Sequence, residues 1–474
     1  MKIILFIFFL SFSLSGHAQL IQGNNQEYAG KKLTFFRYTD PVTQEKEEVF
    51  TLMFDQNGNF STQLNLSQPA FVTCDFGIYR GMLILEKENT INLLLPPFRE
   101  KLFADQKNPF FNPVEFWFAT DQANLLNDQI AAFDAHLNQL TDKHFNSLYF
   151  NQSRTTYDSI AVQLEREFGA TRSNIFKWHK KLKLKAVEAD AFRLTAKNVA
   201  EAIREVQPEY WTQPAFMQLL DKSFTNLLSF ESRSGTGQDV KKAVASGDLS
   251  RLKKITVEKY MGSGSMADLV LLKMLHDAYY SGDFSQNHIL KLLASGYFLS
   301  DGDKNIRSIA ENIQKKLKHL RPGTIAPVVC LKNTDGHLVC SDGNPSGETG
   351  KFKYLIFADT EMAVCQEQLK FLTRINELFQ KHLDIYIILK KTDLIAMKMF
   401  LEKQQIPGIH LIDEKSEFIV NYRIRSFPMC FLLNGNHEVV FQHTLAPLDG
   451  FEQQFGHFLR RKLFEDQRNG GAYN

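Results

Sequence analysis

Three regimes of hydrophobic patterning succeed one another along the chain. From position 20 to about 112, apolar and polar residues alternate in short runs. Runs at 49–54 and 60–66 flank Asp55-Gln56-Asn57-Gly58, and an Asn-Gly pair between alternating segments predicts a hairpin. Further strand-like runs follow at 70–79, 82–85 and 90–95, the last closed by Pro96-Pro97. Short strands at regular spacing predict a small antiparallel β-sandwich over 19–112.

Between 113 and 320 the period becomes helical. Leu126, Ile130, Phe133, Leu137 and Leu140 recur at steps of four and three, as do Tyr157, Ile160, Leu164 and Phe168, and Phe216, Leu220, Phe224 and Leu227. Ser265-Met266-Ala267-Asp268 reads as a capping box opening another helix. The basic run 177–185, which contains Trp178 and His179, is expected to be a solvated helix face. Met261-Gly262-Ser263-Gly264-Ser265 lacks the Gly-Lys-Ser/Thr ending of a phosphate loop and reads as a helix-entry turn.

From 321 to 474 strands and helices alternate. Residues 354–357 form an apolar strand of the buried type, followed by a helix marked by Leu369, Leu372, Ile375 and Phe379. A second strand at 384–389 and a second helix at 394–406, ended by Pro407-Gly408, come next. Phe431-Leu432-Leu433 and Val439-Val440-Phe441 flank Asn434-Gly435-Asn436 as a hairpin, and Phe451, Phe455, Phe458 and Leu459 face one side of a final helix. The order βαβα then ββα predicts a mixed sheet between helices. The polar tail from Asp466 is expected to fray. The whole chain is therefore read as multidomain: a β-sandwich, an α-helical middle domain and a C-terminal α/β domain.

The extreme N-terminus breaks the pattern. Lys2 precedes an apolar run of 12 residues, 3–14, and Ser15-Gly16-His17-Ala18 offers small residues for cleavage after Ala18. Residues 1–18 are read as a signal peptide, too short to span a bilayer. No Cys follows it, so the expectation is a periplasmic protein that is not a lipoprotein, with no integral membrane segment. The chain carries 55 Lys+Arg against 53 Asp+Glu, a balance that gives no field to attract nucleic acid. Its 41 Phe supply the apolar bulk for several cores.

The third segment resembles the thioredoxin fold, specifically the exported TlpA/ResA-type thiol–disulfide oxidoreductases. The resemblance covers about the last third of the chain and rests on four landmarks. Pro322-Gly323-Thr324-Ile325-Ala326-Pro327 leads to Leu331-Lys332-Asn333-Thr334-Asp335-Gly336-His337, similar to the family's entry hairpin. Gly350-Lys351 stands seven residues before Phe357, and Arg425-Ser426-Phe427-Pro428 resembles the family's cis-proline strand. At the active-site position the family's Cys-x-x-Cys reads Met362-Ala363-Val364-Cys365, with Glu361 where the family usually has Trp. Dithiol exchange needs an attacking thiolate and a resolving thiol. A thioether can neither ionise nor form a disulfide. Cys365 stands where the family keeps its buried resolving thiol, and Glu361 near the same helix end would favour the protonated thiol.

The other cysteines read as structural. Asn333 facing His337 would place Cys330 opposite Cys340, where a cross-strand disulfide can form. Cys74 is expected to be buried and inert; Cys430 is expected to pack inside the sheet, a redox pair with Cys365 being the lesser alternative. His437 and His443, six apart, lack the companions of a metal site, and no cofactor or metal is expected. The expected function is binding or envelope assembly on a redox-inactive thioredoxin-like domain. Its partners would be envelope proteins or extended polypeptides docking on Phe427, Pro428 and Met362, while the first two domains serve recognition, positioning or homodimerisation. The alternative is a TlpA-type thiol oxidoreductase using Cys365. A carbohydrate-associated accessory role rests only on the sandwich. Fold alone does not choose among them.

Overall fold

The computed structural model describes residues 19–66, 68–86, 90–121, 126–300, 303–343 and 350–470. The expected signal peptide lies outside the described residues. The described chain forms two compact units, one of residues 19–101 and 112–316, the other of 102–111 and 317–470. Leu102–Phe111, which sequence places with the sandwich, thus belongs to the C-terminal unit.

In the first unit, nine strands make two sheets: β1 (Gln19–Asn24), β2 (Lys32–Tyr38), β3 (Lys46–Met53), β4 (Asn59–Leu64), β5 (Ala70–Phe76), β6 (Tyr79–Leu85), β7 (Thr90–Leu94), β8 (Val114–Trp117) and β9 (Ala119–Thr120). The sheet orders are β4-β1-β7-β9 and β3-β2-β5-β6-β8. Pairing is antiparallel except for β1 with β7 and β6 with β8. Alternation does what period two requires. Val72, Cys74, Leu83 and Leu85 point into the sandwich core with Phe35 and Ile91, while Phe71 and Ile84 face the helices.

The Asn57-Gly58 turn forms, with Asp55 Oδ1 accepting from the N–H groups of Asn57 and Asn59, both at 2.8 Å. It does not join a hairpin. β3 pairs with β2 and β4 with β1, so the turn carries the chain from one sheet to the other. Gly58 has φ +74°, and a Cβ there would meet the Asn25 carbonyl oxygen at 2.4 Å. The turn is packed on another loop, and its Gly58 carbonyl accepts from Asn25 N–H.

Helix Leu126–Lys143 buries the whole predicted stripe from Leu126 to Leu140. Three other helical expectations change. Helix Pro214–Phe224 stops before Leu227, because Asn226 takes the left-handed conformation and a new helix, Leu227–Glu231, begins. The capping box is absent: Gly264 is the cap residue, Ser265 donates to Asp303, and Asp268 pairs with Lys253. The basic run is not a solvated face either. Within helix Asn174–Ala191, His179 and Lys180 are buried, His179 against Asp134 and Lys180 against Glu165 and the Phe168 carbonyl.

The C-terminal unit contains β10 (Cys330–Asn333), β11 (Leu338–Cys340), β12 (Phe352–Ala358), β13 (Leu383–Lys390), β14 (Ile409–Asp413) and β15 (Met429–Leu433). Their order is β11-β10-β14-β13-β12-β15, with β12, β13 and β14 parallel and the rest antiparallel. β12 is buried along its full length, and helices cover both faces of the sheet. This is the thioredoxin-like α/β arrangement. β14 and the short helix Glu417–Asn421 are additions to the predicted order. The expected helix through Leu369 and Phe379 is two helices, Ala363–Lys370 and Leu372–Phe379, and the hairpin arm at 439–441 makes isolated bridges rather than a strand. The tail continues as helix to Gly470.

One buried histidine, His437, and one half-buried, His410, predict an acid sensitivity. Burial, first of all, holds His410 and His437 below their ordinary 6.5, with Lys353 adding to the effect on His437. Because the folded state favours their neutral form, the unfolded chain takes up protons first once pH falls below 6.5. Stability of this unit should therefore drop between pH 6.5 and the lower folded values. All three Trp lie in the other unit, so the measurement is amide exchange of β12 and β13. Exchange in these strands at pH 5.5, corrected for intrinsic rates, should exceed that at pH 7.5, and His437→Gln should flatten the difference. Protection that rises in acid would refute this.

Candidate functional site

The candidate site lies where β12 ends at Ala358 and helix Ala363–Lys370 begins. Between them Asp359-Thr360-Glu361 makes a tight turn: Met362 N–H donates to the Asp359 carbonyl at 3.0 Å, and Glu361 N–H to Asp359 Oδ1 at 3.0 Å. Met362 is the helix cap residue in extended conformation, with no side-chain capping bond. Its half-buried side chain packs on the core, so the helix start is built around a thioether.

Cys365, one turn into the helix, is fully buried and unpaired. Burial pushes its thiol up from 9.0 to about 11; a backbone hydrogen bond with Asp359 opposes the rise, the charge of the Asp359 carboxylate adds to it, and Lys107 opposes it. The carboxylate acting on the thiol is thus buried Asp359. Glu361, to which sequence assigned that effect, is partly exposed and binds Lys107 instead. Cys430 on β15 is also free and buried, its thiol pushed up to about 12, chiefly by burial. Cys74 is free, buried and similarly raised.

The Phe427–Pro428 peptide is cis and precedes β15, the last strand of the sheet order. Phe427 is half-buried against the cores on both faces of the sheet, and Met429 is 38% exposed. Lys390 Nζ stands 5.8 Å from the Phe427 ring centroid and 3.5 Å from Asp359 Oδ2. One cation therefore links the cis-proline edge to the helix-start turn.

The part that sequence did not reveal comes from the short helix Phe103–Lys107. Lys107 Nζ donates to Asp359 Oδ2 at 2.7 Å and to Glu361 Oε2 at 2.5 Å. The Asp359 side chain has no exposed surface, and Lys107 is 12% exposed. Burial favours the neutral amine, but the two carboxylates outweigh it and raise Lys107 above its ordinary value. The pair spans 252 residues of chain, and no local pattern announces it.

At the other edge, Cys330 and Cys340 are register partners and are joined by a disulfide. His437 is buried with Nε2 3.3 Å from Ser341 Oγ. Among the described residues no three His, Cys, Asp or Glu side chains are grouped to hold a metal ion, and no helix is long and apolar enough to cross a membrane.

No protein-family model matches this chain, and no curated protein does. Solved structures similar to part of it include the thioredoxin domain of a thiol-disulfide oxidoreductase from Bacteroides vulgatus, with 18% identity, TM-score 0.26, and coverage of 29% of this chain and 98% of that one. A putative thiol:disulfide interchange protein DsbE from Chlorobium tepidum shows 23% identity and TM-score 0.23, covering 26% and 85%. StoA from Bacillus subtilis shows 18% identity and TM-score 0.21, covering 25% and 87%.

Proposed function

We propose that this chain is an exported thioredoxin-fold protein without disulfide reductase turnover, acting as a binding or envelope-assembly module. The observation that carries the reading is the state of the helix-start thiol. Cys365 is buried and raised to about 11, and the helix cap residue Met362 stands where the family resemblance puts the attacking sulfur. Neither a nucleophile nor a resolving pair is presented. What remains of the site is a surface: the Phe427–Pro428 edge with Met429 exposed beside it, suited to an extended polypeptide. The sandwich and helical regions would position that surface or pair two copies. The oxidoreductase alternative has in its favour that Cys365 and Cys430 belong to one core cluster, but both are protonated and buried.

Insulin reduction with dithiothreitol tests the redox half. The wild type should stay at the uncatalysed rate, and Met362→Cys should rise above it. Wild-type turnover would end the inactive reading; no gain in a folded Met362→Cys protein would show that Met362 does not stand at the nucleophile position. Binding is tested with an unfolded, alkylated polypeptide. Phe427→Asp should weaken its capture roughly tenfold or more, since an aromatic contact is replaced by a charge. Equal capture would remove this edge from the binding surface.

A further inference from the structure

The first unit contains a cleft that the redox-type site leaves unused. On the helix-facing side of the five-stranded sheet, two cross-strand rows succeed each other. Thr73, Met82 and Trp117 are register partners, and so are Asp75, Arg80 and Glu115. One step further along β5 and β6, Phe71 and Ile84 are apolar and buried under helix Leu126–Lys143. The sheet face therefore turns from apolar to polar along its strands. Where it turns, it diverges from helices Asn174–Ala191 and Pro214–Phe224 and leaves a cleft of about 340 Å³. That volume is at the lower end of small-molecule sites.

The deep wall is polar and held in place. Asp134 accepts from Trp117 Nε1 at 2.9 Å and from His179 Nε2 at 2.7 Å. Burial would raise this carboxyl, but His179, Lys183 and Trp117 hold it below the usual range, so it is ionised and fixes both rings. With Nε2 committed to Asp134, the other ring nitrogen of His179 has no partner, although the side chain is 1% exposed. Thr73, 6% exposed, has an unpartnered hydroxyl on the same cleft. Both residues line the cleft, and buried polar groups without a partner are costly.

We propose that this cleft binds a neutral, polyhydroxylated ligand of the saccharide class. The wall offers a hydroxyl, able to donate and accept, and an imidazole nitrogen, which suits hydroxyl groups that do both. Tyr38 and Trp117 add aromatic surface for the apolar face of a sugar ring. Arg80 and Lys183 are offset by Glu115, Asp134 and Asp221, so the lining does not select a phosphate or another strong anion. The proposal is independent of the Met362–Phe427 site.

The test uses the full chain with maltose, cellobiose and N,N′-diacetylchitobiose as probes, followed by calorimetry and saturation-transfer NMR. At least one should bind with a Kd at or below about 1 mM. Thr73→Val removes the hydroxyl at nearly constant shape, and Glu115→Ala removes a rim acceptor; each should weaken binding about tenfold. Thr73→Val should at the same time raise the Tm of the ligand-free protein, because an unmet buried hydroxyl disappears. That rise keeps the test readable, since a misfolded variant would lower the Tm. No binding of any of the three at about 10 mM, unchanged affinity in both variants, or tighter binding of inorganic phosphate than of any sugar would overturn the proposal.

Discussion

Replacing Lys107 by Met should destabilise the C-terminal unit by about 3–5 kcal/mol, because it leaves the Asp359 carboxylate buried without its nearest cation. The geometry sets the size of the effect. Asp359 is fully buried, and Lys107 Nζ is 2.7 Å from it, whereas Lys390 stands at 3.5 Å and is one-third exposed. Lys390 is the residual partner that keeps the loss towards the lower end. Glu361, 38% exposed, can be rehydrated and adds little. The double variant Lys107→Met/Asp359→Leu removes both charges and should recover most of the loss, since a hydrophobic replacement of a buried pair is often neutral or stabilising. Amide exchange across β12 reports the global term, and limited proteolysis near Phe110, 88% exposed, reports release of the short segment. A single-variant loss below about 1 kcal/mol, with residues 102–111 still protected, would show that the pair behaves as a surface contact.

This ion pair also marks the limit of what sequence conveyed. Local periodicity found the elements whose partners are themselves local or buried: the stripe from Leu126 to Leu140, and the run Tyr354 to Phe357 inside β12. The three-part division into β, α and α/β regions follows from such runs and is the architecture observed. Long-range pairing was not legible. Asp55 and Gly58 specify a chain reversal, yet nothing in them says that β3 and β4 join different sheets, which rests on their long-range pairing with β2 and β1. β14 hid behind Pro407-Gly408, because five residues with a His at the second position carry too little periodicity. Buried charge hid best. Lys180 and Asp359 look like ordinary surface residues until the folded chain supplies Glu165 and Lys107. At the candidate site, the positions of Met362 and Cys365 at the start of the helix after β12 were readable from spacing, but the cation that balances the turn was not.

Native-state alkylation should find Cys365 modified at least about 100-fold more slowly than the same thiol in the unfolded chain. A thiol raised from 9.0 to about 11 holds about two decades less thiolate at neutral pH, and only the thiolate attacks. Full burial adds an access barrier, because iodoacetamide must wait for local opening at the start of helix Ala363–Lys370. Cys74 and Cys430, raised further to about 12, should be slower still, and in denaturant all three should react at similar rates. In Met362→Cys the new sulfur occupies the cap position at the helix N-terminus, half-buried rather than enclosed, where the backbone N–H groups stabilise a thiolate. It should therefore react orders of magnitude faster than Cys365 in the same molecule, with mass spectrometry of the peptide distinguishing the two. Wild-type Cys365 reacting within about tenfold of its unfolded rate, while Cys74 and Cys430 stay protected, would mean an accessible thiolate at this helix start. The binding-module reading would then give way to redox chemistry at Cys365.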